Sequence, residues 1–393
     1  MLMDISSFGN TLGKLEKDES KGYYCFVPAS LPVRFEIDDE LLDLLVRASK
    51  ALGRLKGMEM EFGSTVGFSP SLFMHPYLRK EAVLSSKIEG TVSTLYDVLE
   101  AEAGIGSEGS ENKGDLLEVV NYVIAQNMGI EAIRQGKDID KEFIMQLHQA
   151  LLRHVRGEKG KPGKIREVQN YISRAGFPGI GDAVYVPPKP STVSGLLDNL
   201  LAYMPEGKSP NIIKVALMHY QFEAIHPFLD GNGRIGRLLI MLYLIRYGEL
   251  GQPLLYMSAY FERNRDEYYR LLLDVSRSGA YSAWVKFFMK GIIEQSESAI
   301  SKSAKLFESY NAAVKALGSI GGASASKLAN AIFVHPVITI ARAAKIMGVS
   351  YPTAKAAVYG AVKLGILEQH EPVSGTRRPK RFVAREILDI YDA

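Results

Sequence analysis

The side chains best able to do chemistry lie close together in twelve residues, His226–Pro–Phe–Leu–Asp230–Gly–Asn232–Gly–Arg234–Ile–Gly–Arg237. Glycines on either side of Asn232 let successive backbone N–H groups turn toward one anion, because glycine accepts backbone angles that other residues resist. A helix beginning near Arg234 would add its own unpaired N–H groups and the positive end of its dipole, which together make a phosphate site. Arg234 and Arg237 are three residues apart, so on a helix they share a face and can clamp two phosphates of a polyphosphate. Asp230 offers a hard oxygen to a Mg²⁺ ion bridging those phosphates. His226 titrates near neutrality and can take the proton of an attacking hydroxyl.

Two other motifs overlap this stretch, and both fail on context. Gly231–Asn–Gly233–Arg–Ile–Gly236 has the spacing of a dinucleotide fingerprint, but a helical pattern precedes it where that motif needs a strand. The Asp230 run also opens like a calcium loop, yet Arg234 occupies a ligand position and Met241 stands where the bidentate glutamate belongs.

The elements needed to hold the loop are legible from apolar spacing. Helical periodicity is predicted over 38–55, 76–88, 97–103, 115–136, 141–155, 191–204, 211–225, 234–247, 265–276 and 284–316. Residues 1–35 read as an irregular arm, 104–114 as a polar loop, and 157–190 as a long Gly/Pro-rich loop with a short strand at 183–186. Residues 317–326 (LGSIGGASAS) read as a linker. Beyond it, 339–347 and 351–364 form a helix-turn-helix pattern, followed by two strands at 366–370 and 381–384 around a basic wing.

The 226–237 stretch resembles the signature of the Fic (filamentation induced by cAMP) family, H-x-F-x-[D/E]-G-N-G-R-x-x-R, with every position filled. The resemblance covers about residues 20–295 and implies an enzyme that moves AMP from ATP, with Mg²⁺, onto a Ser, Thr or Tyr hydroxyl of a protein. By that resemblance His226 is the general base and Asp230 the metal ligand. Asn232 with the backbone of Gly231 and Gly233 steadies the α- and β-phosphates, Arg234 holds the β-phosphate and Arg237 the γ-phosphate. Val184, Tyr185 and Val186 match the flap strand that docks the target. Ser85–Ser–Lys–Ile–Glu89–Gly90 matches the family's inhibitory motif; Ser85 would help orient the Glu89 carboxylate, and Glu89 would occupy Arg237 in a bidentate pair. The same glutamate could serve removal of AMP. Nucleobase contacts fall hereabouts on Asn264, Tyr268 and Gln221, each equally readable as an ordinary structural polar group. The resemblance also implies a homodimer.

Composition is that of a soluble globular chain, 47% hydrophobic and 23% charged over 393 residues. The single cysteine excludes an intrachain disulfide and a thiolate metal cage, and the remaining histidines lack ligand spacing. With no signal-like segment or membrane-length apolar run, the expected compartment is the cytoplasm. Net charge is +3 for the chain but +5 from Ala325 onward, with Arg377, Arg378, Lys380 and Arg381 at the wing. That asymmetry raises a rival class, a nucleotide-sensing regulator that binds DNA through its tail. The expected architecture is mainly α. An N-terminal helical region (1–114) carries the inhibitory motif and precedes a Fic-type core with a hairpin flap (115–295). A helix and linker (296–330) then lead to a winged helix-turn-helix (331–393).

Overall fold

A computed structural model of the chain describes residues 5–9, 12–19, 21–64, 71–105, 113–155, 161–173, 179–207, 209–371 and 379–392. Arg377 and Arg378, most of the expected 104–114 loop and part of the flap lie outside these residues.

The expected irregular arm is instead an antiparallel hairpin, β1 (Gly13–Asp18) and β2 (Tyr23–Pro28). Every residue of β2 except Tyr24 is buried, so this strand is covered on both faces. The helices α1 (Asp39–Ser64), α2 (Ser71–Ile88), α3 (Leu95–Glu102), α4 (Lys113–Arg134) and α5 (Lys141–Leu151) follow. Gly90 adopts φ +97° just after α2, as its position predicts. At α3, Thr94 and Asp97 form a reciprocal capping box.

The flap strands β3 (Ile172–Ser173) and β4 (Ala183–Tyr185) pair antiparallel. Then come α6 (Pro190–Tyr203), α7 (Asn211–Ile225), α8 (Asn232–Arg246), α9 (Met257–Arg263) and α10 (Arg265–Ser278). The helices α7 and α8 are apolar nearly all round and pack against each other at the centre of the molecule. The loop joining them is therefore anchored at both ends in the deepest core. Around it, α4 packs on α5 and α8, while α2 packs on α4, α8 and α9.

The linker expected at 317–326 is helical. One helix, α11, runs from Tyr281 to Val334 and carries buried Leu306, Leu317, Leu328 and Ile332 along its length. Apolar contacts on both sides of the small-residue stretch override its weak helix propensity. The tail comprises β5 (Val337–Ile338), α12 (Ile340–Met347), α13 (Tyr351–Lys363), β6 (Glu368–His370), β7 (Arg381–Val383) and α14 (Arg385–Asp392). Its three strands lie in the order β5-β7-β6, all antiparallel. Sequence reading missed α9, β5 and α14. All three helices of the tail rest on α11, so tail and core share one apolar cluster that runs from Phe8 to Tyr391. No helix among the described residues is long and apolar enough to cross a membrane.

Candidate active site

The loop begins with a helix ended against its own preference. His226 caps α7 in the left-handed region, at φ 49°, which a non-glycine residue adopts only when its surroundings enforce it. Arg166 does much of that enforcing. Its guanidinium donates to the carbonyls of His226 (2.8 Å), Pro188 (2.6 Å) and Ile225 (3.4 Å), placing a buried cation on the negative end of α7. Asn170 adds a bond to Phe228 O at 2.8 Å. Both residues lie at 163–170, within the expected Gly/Pro-rich loop, so that segment holds the loop between α7 and α8 in place.

His226 Nδ1 lies 3.2 Å from the Glu223 carbonyl. A carbonyl can only accept, so Nδ1 carries the proton and Nε2 is left as the free base. Burial pushes the imidazole down to about 4, so it is neutral across the physiological range.

The remainder of the loop is tied by side chains that bond its own backbone. Asn232 accepts from Phe228 N and donates to Phe228 O, both at 2.8 Å, and is almost fully buried. Its side chain closes the loop, which leaves its backbone as the part able to face an anion. His148, unremarked in the sequence, accepts from Gly163 N through Nδ1 (2.9 Å) and so donates from Nε2 to Asp230 O (2.9 Å), while its ring stacks on Phe228 at 3.8 Å. Gly231 has φ +78°, and an added Cβ would press on Leu151 and His148.

Arg234 and Arg237 lie side by side on the first turns of α8, each almost fully buried. Arg234 pairs with the buried Glu118 at 2.9 Å and reaches Asp230 at 3.4 Å. Arg237 donates from Nε to Ser85 Oγ (2.9 Å) and from one terminal nitrogen to Ser85 O (2.8 Å) and Glu89 Oε1 (2.7 Å). The expected bidentate Arg–Glu pair is thus a single bond to Glu89, and the hydroxyl of Ser85 serves the guanidinium rather than the carboxylate. Burial alone would raise the Glu89 carboxyl; the Arg237 charge outweighs it and holds the group below the usual carboxylate range. The same carboxylate lies where a Cβ on Gly233 would have to go, against the first turn of α8. An anion already sits at the helix N-terminus, and it belongs to the chain.

Asp230 is half-exposed. Its Oδ1 accepts from Gly231 N at 2.6 Å, and among the described residues no bond engages Oδ2. One open carboxylate oxygen beside a polyphosphate cradle fits Mg²⁺, which takes one or two carboxylates and completes its shell with water and phosphate. Among the described residues no cluster of three or more His, Cys, Asp or Glu could hold a metal by itself.

Of the nucleobase candidates, Tyr268 is fully buried and its hydroxyl bonds His219 at 2.8 Å inside a cluster with Phe261 and Trp284. Gln221 is buried and bonds Ala29 O, and Asn264 bonds Tyr260 O between α9 and α10. Among the described residues none of the three has a hydrogen bond to the loop, and Tyr268 lies within electrostatic range of Arg237 and Glu89. In the flap, Tyr185 and Val186 are buried, Tyr185 bonding Ala224 O and Val186 O accepting from Phe26 N. Only Val184 of that trio is partly exposed. The outer edge of this small sheet is β3, where Tyr171 and Ile172 are exposed.

Sequence reasoning also missed Glu223. Its carboxyl packs against Gly236, where any Cβ would collide with it, and Oε1 is buried without a partner. Burial pushes it up to about 8, only partly offset by Arg237.

This arrangement places a histidine and a glycine-flanked turn between two buried helices of a mainly helical core. Residues 138–244 match the model described as Fic/DOC family, and residues 42–131 match its N-terminal companion, together about half of the chain. The chain belongs to the Fic/DOC family. It is similar to the protein adenylyltransferase Fic of Drosophila grimshawi, 28% identical over 209 residues, and the match spans 51% of this chain but only 38% of that relative. The fold is similar to that of a Fic family protein from Desulfovibrio desulfuricans G20 (TM-score 0.57, 21% identity, 89% of this chain and 97% of that one). It is also similar to a Fic domain containing signaling protein from Bacteroides thetaiotaomicron VPI-5482 (TM-score 0.51, 21% identity, 67% and 96%).

Two outcomes follow from the buried charges. Glu118→Ala leaves the buried Arg234 with only its 3.4 Å contact to the half-exposed Asp230, so urea denaturation should show a loss of about 3 kcal/mol, with a near-neutral result removing the pair from that role. Glu223 binds its proton more tightly folded than unfolded. Its contribution to stability is present below the usual carboxylate range and is lost as pH rises through about 8. Melting temperature should therefore fall as pH rises from 4.5 to about 8, and Glu223→Gln should flatten that fall.

Proposed function

We propose that the chain is a protein adenylyltransferase held inactive by Glu89. The observation that carries this reading is the 2.7 Å bond from Arg237 to Glu89, made against the backbone of Gly233. A carboxylate there occupies the place of a terminal phosphate and engages the guanidinium that would bind it. ATP entering with Glu89 in place would lack that grip, and a reacting phosphorus misplaced by about 1 Å costs on the order of a hundredfold in rate.

With Glu89 withdrawn, the roles follow from the geometry. The first turn of α8 and Arg237 receive the phosphates, and Arg234, fixed by Glu118, supports them from beneath. Asp230 is the residue to hold Mg²⁺, which would neutralise charge on the phosphates. His226 accepts the proton of a target hydroxyl at Nε2. That oxygen forms a bond to the α-phosphorus as the bond to the pyrophosphate oxygen breaks, and AMP remains on the protein. The open edge of β3 suits an extended target segment pairing by backbone. Glu89, released from Arg237, is also a carboxylate that can orient a water for the reverse cleavage.

The tail supports a second activity. Two helices joined by the Gly348–Ser350 turn, with a β6–β7 hairpin beside them, have the layout of a winged helix-turn-helix. Tyr351 is exposed at the start of α13, where groove contacts begin. DNA bound there would be lost steeply with salt.

Glu89→Gly should raise self-labelling by ATP at least tenfold, read as a mass gain of one AMP; unchanged labelling would sink the inhibitor role. In that released background, His226→Ala should abolish transfer while nucleotide binding by calorimetry persists. The acid limb should also reflect the lowered imidazole: the rate stays level through mildly acidic pH and drops only toward about 4. A drop centred near 6.5 would overturn the lowered imidazole, while the role of His226 as the base rests on the His226→Ala result.

A further inference from the structure

Away from the loop, a cleft of about 670 Å³ opens where the end of α3 meets α12, α13 and the start of β7. That volume falls in the range of small-ligand sites, roughly 300–1,000 Å³. Arg342 and Lys345 line it from α12, Lys355 from α13 and Lys380 from the residue before β7. Tyr351 and Tyr359 flank Lys355 at four-residue spacing on one stripe of α13. These cations are under-compensated. Lys380 pairs with Glu371 at 2.8 Å, but Lys345 and Lys355 have no acidic partner among the described residues, and Arg342 Nε is buried with no hydrogen-bond partner.

The opposite wall contains Glu102, and it is tied to the active site by one helix. Glu102 accepts from Arg79 on α2 through both carboxylate oxygens, each at 2.6 Å, and His335 Nδ1 lies 3.5 Å away. Arg79 also donates to Val334 O at 3.0 Å, at the end of α11. Next to it, Tyr77 packs edge-on against Tyr391, and Lys80 bonds the carbonyl of the same residue. The tail thus grips α2 at Tyr77 and Lys80, while Arg79 ties α2 to α3 and to the end of α11, just before the tail. Ten residues past Arg79, about 15 Å along the chain, Glu89 makes its single bond to Arg237.

We propose that this cleft binds a phosphate group and that filling it frees Arg237 from Glu89 by shifting α2. The relay rests on the reading of Glu89 as an inhibitor; the binding does not. The ligand class follows from the lining: a guanidinium fork and ammonium charges for phosphate, with tyrosine rings as a face for sugar or base. Such a phosphate comes either from a nucleic-acid backbone or from a free nucleotide. The direction follows from charge. A bound phosphate puts negative charge beside Glu102, so the Glu102–Arg79 contact is the one that must rearrange. A rigid α2 carries that movement to Ser85 and Glu89.

The test uses the full chain with a short labelled DNA duplex and, separately, ADP. One of them should bind, with about a tenfold loss in the Lys345→Ala/Lys355→Ala double variant at fixed salt. Duplex alone assigns the backbone source and ADP alone the free nucleotide. Binding of neither, or binding unchanged in the double variant, overturns the site. The ligand that binds should raise self-labelling of the wild type several-fold and leave Glu102→Gln unresponsive. If Glu89→Gly labels strongly but the ligand leaves the wild type unchanged, the relay is wrong. If Glu89→Gly itself gains nothing, the inhibitor reading fails while the binding result stands.

Discussion

A buried guanidinium cannot be left alone, and the structure is organised around that requirement at Arg237. Fully enclosed between α8 and α2, it needs acceptors at all times. Ser85 supplies two of them from the helix itself, through its hydroxyl and its carbonyl, and Glu89 supplies the third. The first two are fixed by the position of α2; the third is a half-exposed side chain beyond the helix end. A guanidinium held in place by permanent partners, with one exchangeable anion, is what a phosphate site needs in its resting state. The inhibitor is then also the group that keeps the unliganded site satisfied.

Arg234 shows the contrasting solution. Its partner Glu118 is as buried as itself and lies on α4, in the scaffold. Nothing in that pair is exchangeable, so Arg234 sets geometry where Arg237 can respond. Two arginines three residues apart look equivalent in the sequence, and only their partners from other helices separate them.

Much of this was legible beforehand because it is local. The helices at 211–225 and 234–247, the loop between them and the Gly90 stop all follow from spacing and glycine chemistry. The Arg237–Glu89 meeting was anticipated through a motif, though its bonding differs: Ser85 faces the arginine. What stayed hidden depends on long-range contacts. The neutral carboxyl of Glu223, the bridging of His148 between Gly163 and Asp230, and the capping of α7 by Arg166 each join distant segments, and no periodicity reports them. The 317–326 stretch misled for the opposite reason. Its composition is that of a linker, but buried Leu317 at its start and Leu328 just beyond it hold it in α11.

The two-way bond of Asn232 to Phe228 has a chemical corollary. Asparagine followed by glycine is the dipeptide most prone to cyclise and lose ammonia, because the bare glycine nitrogen attacks the neighbouring amide freely. Here that amide is held by a donor and an acceptor on one backbone unit, and the glycine nitrogen belongs to the first turn of a helix. Deamidation would replace a group that both gives and receives with an acid that only receives, and the loop would come unfastened at Phe228. The folded protein therefore protects its most vulnerable covalent link with the same pair of bonds that shapes the loop, and ageing at this position would begin only where the loop opens.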